Sequence, residues 1–271
     1  MIDYAIPGPL TVLDDVAPWV LAGLADDAVE ICRLVPSLVV QPEDAKAAGL
    51  GPERLGENQL RSAAQLVEVL LALQATALVG GRAVQRRVVG TCRHFAVLSC
   101  ALLRYRGFRA RVRCGFATYF QPGKGLDHWI SEYWHKGDSR WVRIDPEALG
   151  LRVLQRPQDL RVGEFLTGGE AWAAFRQGQV DAADFGVPGT ENWGPGEIRG
   201  NAIRDLAALN KVEMLPWDEW GRMDASYRGE TGADFDELMD TIAEVCAGSD
   251  LSAITTLYAH ADLRVPSALI H

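Results

Sequence analysis

Three residues in one order carry the chemistry this sequence offers: Cys92, His128 and Asp145. Cys92 stands in Gly90-Thr91-Cys92-Arg93-His94-Phe95-Ala96-Val97, ahead of an apolar run through Leu98, Leu102 and Leu103 that reads as a helix. A cysteine at a helix start meets backbone N–H groups and the positive end of the dipole. Both favour thiolate over thiol, and the N–H groups can hold the oxyanion of a tetrahedral intermediate. Gly90, lacking a side chain, is expected to leave room there for an acyl substrate. His128 follows 36 residues later and opens a strand after the turn Pro122-Gly123-Lys124-Gly125. Asp145 comes 17 residues after that, closing the next strand in Trp141-Val142-Arg143-Ile144-Asp145-Pro146. If those strands pair antiparallel about a turn at 136–139, Ile130 lies opposite Asp145 and His128 is diagonal to the carboxylate. The aspartate then accepts from one ring nitrogen while the other faces sulfur, an arrangement suited to nucleophilic attack on an acyl carbonyl.

The combination Gly-x-Cys, Asp-His-Trp and Asp-Pro between Gly90 and Pro146 resembles the transglutaminase-like superfamily, a branch of the papain-like cysteine enzymes. The resemblance implies Cys92 as nucleophile, His128 as general base and Asp145 as orienting carboxylate. It implies a thioester formed from an amide, ester or thioester of a small molecule or peptide, then passed to water or an amine, without cofactor or metal. It also implies an α+β fold with a papain/transglutaminase-like core, in which the helix carrying the nucleophile packs on an antiparallel sheet. Such families often add a side-chain oxyanion donor upstream of the cysteine, for which Gln85 and Gln74 are candidates. Trp129, Glu132 and Tyr119 are expected to line the substrate pocket, with Trp129 and Trp134 helping to wall it from water. A catalytically silent module binding a peptide in the same groove is the alternative. A metal hydrolase built on His128, His135 and Asp145 fits less well, because an odd spacing puts the two histidines on opposite strand faces. His94, two positions past Cys92, points to another side of the helix and reads as a packing or capping group. His260 and His271 carry no motif.

These residues need elements to hold them. Leu13, Val16, Val20 and Leu24, then Ala28, Ile31, Cys32 and Val35, recur at helical spacing; Leu60, Val67, Leu70, Leu71 and Leu78 form a second stripe that Gly80-Gly81 should stop. A helix over 90–105 precedes strands at 109–120, 127–135 and 140–144, joined by turns at 121–125 and 136–139 into a meander. Arg109, Arg111 and Arg113 share one strand face, opposite Ala110, Val112 and Cys114. With Arg104 and Arg106 these arginines read as a solvated surface. Helix returns after Pro146, with Trp172, Phe175, Ile203, Leu206 and Leu209 facing the core, a Gly/Pro-rich loop at 187–195, and amphipathic helices at 234–246 and 249–260. We read one domain over 1–271, with the catalytic core at 82–150 and a mostly helical extension at 151–271. Trp193, Trp217 and Trp220 in that extension are core candidates.

The 271 residues are 48% hydrophobic, enough for a sizeable core. A net charge of −9 argues against nucleic acid and anionic lipid as partners. No apolar run is long enough for a membrane span, and Met1-Ile2-Asp3-Tyr4 lacks a secretory start, so a cytoplasmic location is expected. The five cysteines have no CxxC pair, which predicts free thiols, buried as small apolar residues except for Cys92. Nothing in the sequence specifies an oligomeric state.

Overall fold

The computed structural model describes residues 2–270; Met1 and His271 lie outside the described residues. It is α+β and divides into two compact units, one formed by 3–112 with 130–160 and the other by Ile2, 113–129 and 161–270.

In the first unit, α1 (Ala28–Leu34) starts where the Asp27 carboxylate accepts from the Val29 and Glu30 N–H groups. The stripe from Leu13 to Leu24 makes only a short turn, Pro18–Leu21, because a proline at the first helical position cannot continue a helix from upstream. Strand β1 (Val39–Val40) pairs in parallel with β2 (Val88–Val89), on either side of α2 (Ala63–Leu73). Helix α2 opens with a reciprocal Ser62/Gln65 capping box and ends six residues short of the Gly80-Gly81 stop. Gln74 turns extended after its N–H closes the last turn on Leu70 O, and arginines from downstream add donors at this end: Arg82 to Leu70 O and Arg86 to Leu73 O. Helix α3 (Cys92–Tyr105) is buried on nearly every face, Arg93, His94, Ser99 and Arg104 included, and packs against α1 and α2.

Strands β3 (Ala110–Ala117), β4 (Gly125–His135) and β5 (Arg140–Ile144) follow as the expected meander, ordered β5-β4-β3. The β4–β5 register runs from Ser131 opposite Ile144 to His135 opposite Arg140, closed by a turn in which Ser139 has a positive φ of 51°. Carried one residue further, it sets Ile130 across from Asp145. The Ser131 hydroxyl donates to Ala96 O at 3.0 Å, fastening β4 to α3.

In the second unit β6 (Phe165–Thr167) adds antiparallel to the 115–117 end of β3. Thr167 caps α4 (Gly168–Arg176), and β7 (Phe185–Gly186) joins the 125–126 end of β4 in parallel. Then come α5 (Pro195–Leu209), α6 (Met223–Tyr227), α7 (Ala233–Ala247) and α8 (Leu251–Tyr258). Helix α4 packs on α5 and α7. Two glycines permit this: a Cβ on Gly115 would stand 2.0 Å from Leu166 O, and one on Gly168 would stand 2.2 Å from the Ala202 nitrogen. Trp172, Ile203, Leu206, Leu209 and Trp220 are buried as expected, Phe175 and Trp193 are half-buried, and Trp217 is exposed. Among the described residues no helix is long and apolar enough to cross a membrane.

Candidate active site

Cys92 is the first residue of α3 and is 8% exposed. His94 determines how that helix begins. The Thr91 N–H donates to His94 Nδ1 (3.0 Å), so Nδ1 is unprotonated, and Nε2 carries the hydrogen it gives to Leu60 O (3.1 Å). Burial, then the neighbouring Arg93 cation, push the imidazole pKa down to about 3. His94 is therefore a neutral capping group with both nitrogens engaged, and it is unavailable as a base for the adjacent sulfur. The imidazole also takes up the space beside Gly90: a Cβ there would lie 2.7 Å from His94 Cβ and Cγ. Gly90 thus serves the helix cap, where open space for a substrate was expected.

Asp145 directly follows β5 and is fully buried. Its Oδ1 accepts from the N–H groups of Glu147 (2.9 Å) and Ala148 (3.1 Å), while its own N–H donates to Pro157 O. The Asp-Pro pair therefore builds a turn that fixes the carboxylate before any imidazole is considered. Glu132, expected at the substrate pocket, is 2% exposed. Its two oxygens accept from Arg111 Nε (2.6 Å) and Arg143 Nε (3.1 Å), which makes it the centre of a buried ionic strut.

In the second unit His128 is buried on β4, with the rings of Tyr119 and Phe120 edge-on to its imidazole at 6.2 and 5.1 Å. Tyr119 is therefore brought against a candidate catalytic residue, and Phe120 is a second aromatic wall that the sequence reading missed. Trp129, expected to line the pocket, is fully enclosed and has no surface left for a substrate; its indole N–H has no partner among the described residues.

Next to His128, Asp127 belongs to a buried polar network that the sequence reading also missed. Asn201 on α5 donates from Nδ2 to Asp127 Oδ1 (2.8 Å) and Gly115 O (3.1 Å), and its Oδ1 accepts from Arg204 Nη1 (3.3 Å) and the Cys114 thiol (3.3 Å). Arg204 also reaches Tyr227 (3.1 Å) and Glu197 (3.5 Å), and the Tyr227 hydroxyl donates to Glu197 Oε2 (2.9 Å). One arginine thus faces two carboxylates. Enclosure raises the Asp127 pKa despite Arg204, and burial raises Glu197 to about 7. The signal was available in the sequence: Glu197, Asn201 and Arg204, at spacings of four and three, fall on one face of the helix.

The arginine stretch is the solvated face expected only at Arg106 and Arg109. Arg104 is buried, donating to Ala110 O and Thr11, and Arg113 forms a buried bidentate pair with Asp205 (2.9 and 2.7 Å). His135 lies in the other unit from His128, at the β4–β5 turn, half-buried beside Asp138. Gln74 and Gln85 belong to surface turns, and Gln74 bonds Thr76. All five cysteines are buried, and no disulfide joins them; desolvation drives the Cys32 and Cys114 thiols to high pKa. Among the described residues no group of three or more His, Cys, Asp or Glu is arranged to hold a metal.

Residues 79–146, which include Cys92, His128 and Asp145, match the transglutaminase-like superfamily. The resemblance carried by Gly-x-Cys, Asp-His-Trp and Asp-Pro is borne out over that segment. A search of curated proteins finds no match. Among solved structures, the chain is similar to a protein from Cytophaga hutchinsonii assigned as a cysteine protease. The identity is 18%, the TM-score is 0.36, and the match covers 59% of this chain and 44% of that one. The chain thus spans less than half of that protein.

Proposed function

Starting from the transglutaminase-like core at 79–146, we propose that the protein is a cysteine-dependent acyl-transfer enzyme or amide hydrolase with Cys92, His128 and Asp145 as its triad. The thiolate adds to the acyl carbonyl carbon, and first-turn N–H groups of α3 stabilise the oxyanion. As the carbon–heteroatom bond breaks, the His128 imidazolium gives its proton to the departing amine or alkoxide. Water or an amine then attacks the thioester, His128 takes its proton, and the sulfur leaves as thiolate. Asp145 holds the imidazole in the tautomer this requires. Tyr119, with Phe120, forms the aromatic side of the acyl pocket, while Trp129 and Glu132 support the strand behind it.

The observation that carries this reading is Cys92 at the first position of a buried helix whose neighbouring imidazole is spent on capping. The β4–β5 register supports Asp145 as the third member, with His128 two residues along the same strand from Ile130. Peptide-resolved iodoacetamide labelling at neutral pH provides the test, because Cys92 and Cys246 are equally exposed at 8%. Cys92 should alkylate about tenfold faster or more, and His128→Ala should abolish the difference. Equal slow labelling of both would indicate a catalytically silent module instead.

A further inference from the structure

Asn201, fully buried on α5 in the second unit, uses its whole amide. Its Nδ2 hydrogens go to a carbonyl of β3 (Gly115, 3.1 Å) and a carboxylate of β4 (Asp127, 2.8 Å), so one side chain ties two strands together. Its Oδ1 accepts from Arg204 Nη1 (3.3 Å) and the Cys114 thiol (3.3 Å). A flipped amide would turn its hydrogens against the Arg204 guanidinium, so the donors are held toward the strands. Arg204 is itself fixed by Tyr227 and Glu197, and Gly200 leaves the room this needs, because a Cβ there would collide with the Tyr227 hydroxyl. Helix α5 grips β3 a second time through Asp205, which accepts from the Cys114 N–H (2.9 Å) and pairs with Arg113. Its hold on β4 runs through Asn201 and Asp127. That hold falls at a particular stretch of β4: the register with β7 ends at Leu126 and the register with β5 begins at Ser131, so 127–130 lie outside both. His128 is in that stretch. Consecutive strand residues project to opposite sides, so Asn201 stands behind the strand while the imidazole, on the other side, meets Phe120 (5.1 Å) and Tyr119 (6.2 Å).

We propose that Asn201 is a positioning residue for His128: acting through Asp127, it fixes the backbone of β4 from behind and so keeps the imidazole in its place against Phe120 and Tyr119. The inference rests on the acyl-transfer reading and deepens it, because it gives the helical extension a part in aligning the base. A shift of about 1 Å in a reacting group can lower a rate on the order of a hundredfold, so a tie at the residue next to the base has a measurable effect.

The test is the pH profile of Cys92 alkylation by iodoacetamide, followed by peptide mass spectrometry in the full chain. Asp127→Ala removes the acceptor on β4 and leaves the Asn201 bonds to Gly115, Arg204 and Cys114. It should slow alkylation at neutral pH about tenfold and move the midpoint of the profile up toward that of an ordinary thiol, as His128→Ala does. Asp127→Asn, which gives Asn201 Nδ2 an acceptor again, should recover that loss to within about threefold of wild type. Asn201→Asp sets one carboxylate against another and should behave like Asp127→Ala. The double variant Asn201→Asp/Asp127→Asn, which re-forms the bond with donor and acceptor exchanged, should restore the midpoint. Lost stability alone changes the folded fraction and leaves the midpoint where it was, and the two Asp127 variants carry the comparison if Asn201→Asp does not fold. With His128→Ala slow, an Asp127→Ala profile that matches wild type, or an Asp127→Asn protein as impaired as Asp127→Ala, would overturn the role of Asn201 alone. His128→Ala alkylating as fast as wild type would overturn the triad and this role with it.

Discussion

Replacing Glu197 by glutamine keeps the side-chain shape and an acceptor for Tyr227 while removing a charge that burial disfavours. Wild-type Glu197 goes from an ordinary value of 4.5 to about 7 on folding, desolvation outweighing Arg204, with Asp127 adding to the rise. The folded state therefore binds more protons than the unfolded state between those values, so stability falls as pH rises through that window and levels off above it. Desolvation of the side chain is nearly complete, so screening by solvent takes little away. Integrated from pH 5 to pH 8 at 1.36 kcal/mol per pH unit, the loss is about 2.5 kcal/mol, and Asp127 and Glu197 titrate as a pair while it happens. Glu197→Gln should escape this loss. Its stability relative to wild type should climb by about 2.5 kcal/mol between pH 5 and pH 8, or roughly 5–10 °C in melting temperature. Urea melts of both proteins at the two pH values measure this, since contributions from other groups cancel in the difference. A gap that stays constant, or moves against glutamine at pH 8, would refute the reasoning, because Glu197 would then be an ionised partner that Arg204 fully compensates.

Glu132→Gln leaves Arg111 and Arg143 without their shared counter-charge and is expected to cost about 3 kcal/mol in denaturant unfolding; unchanged stability with altered KM would restore Glu132 to the substrate pocket. Gly90→Ala drives a methyl into His94, breaking two buried hydrogen bonds for about 2–3 kcal/mol. It should also slow Cys92 alkylation, so a variant as stable and as reactive as wild type contradicts that account of the cap. Asp145→Asn retains the Oδ1 acceptor for Glu147 and Ala148, so its melting temperature should stay near wild type while turnover falls by orders of magnitude. Asp145→Ala should lose turnover and about 1 kcal/mol of stability as well; full turnover in Asp145→Asn would remove Asp145 from the reaction.

Much of the core was legible because it is local. The apolar run through Leu98, Leu102 and Leu103 marks α3, the two-residue alternation around Arg111 marks β3, and the turn chemistry of Lys136 to Ser139 sets a register that brings Asp145 opposite Ile130. What could not be read depends on distant partners. Arg113 looks solvated until Asp205, 92 residues on, is folded against it. Glu132 looks like a pocket residue until two arginines from neighbouring strands are counted. Helix α2 ends where downstream arginines reach its carbonyls, a stop that no residue within the helix encodes. The polar face of α5 was visible as a pattern, but its meaning lay in Asp127 and Tyr227 on other elements.

The central claim is that the Cys92 sulfur accepts an acyl group. Intact-protein mass spectrometry after brief exposure to an activated ester such as p-nitrophenyl acetate measures this directly. A single acetyl adduct is expected that maps to Cys92, is absent from Cys92→Ala, and forms much more slowly in His128→Ala. Acetylation spread over surface lysines, with Cys92 unmodified and the Cys92→Ala protein labelled as fast as wild type, would contradict it.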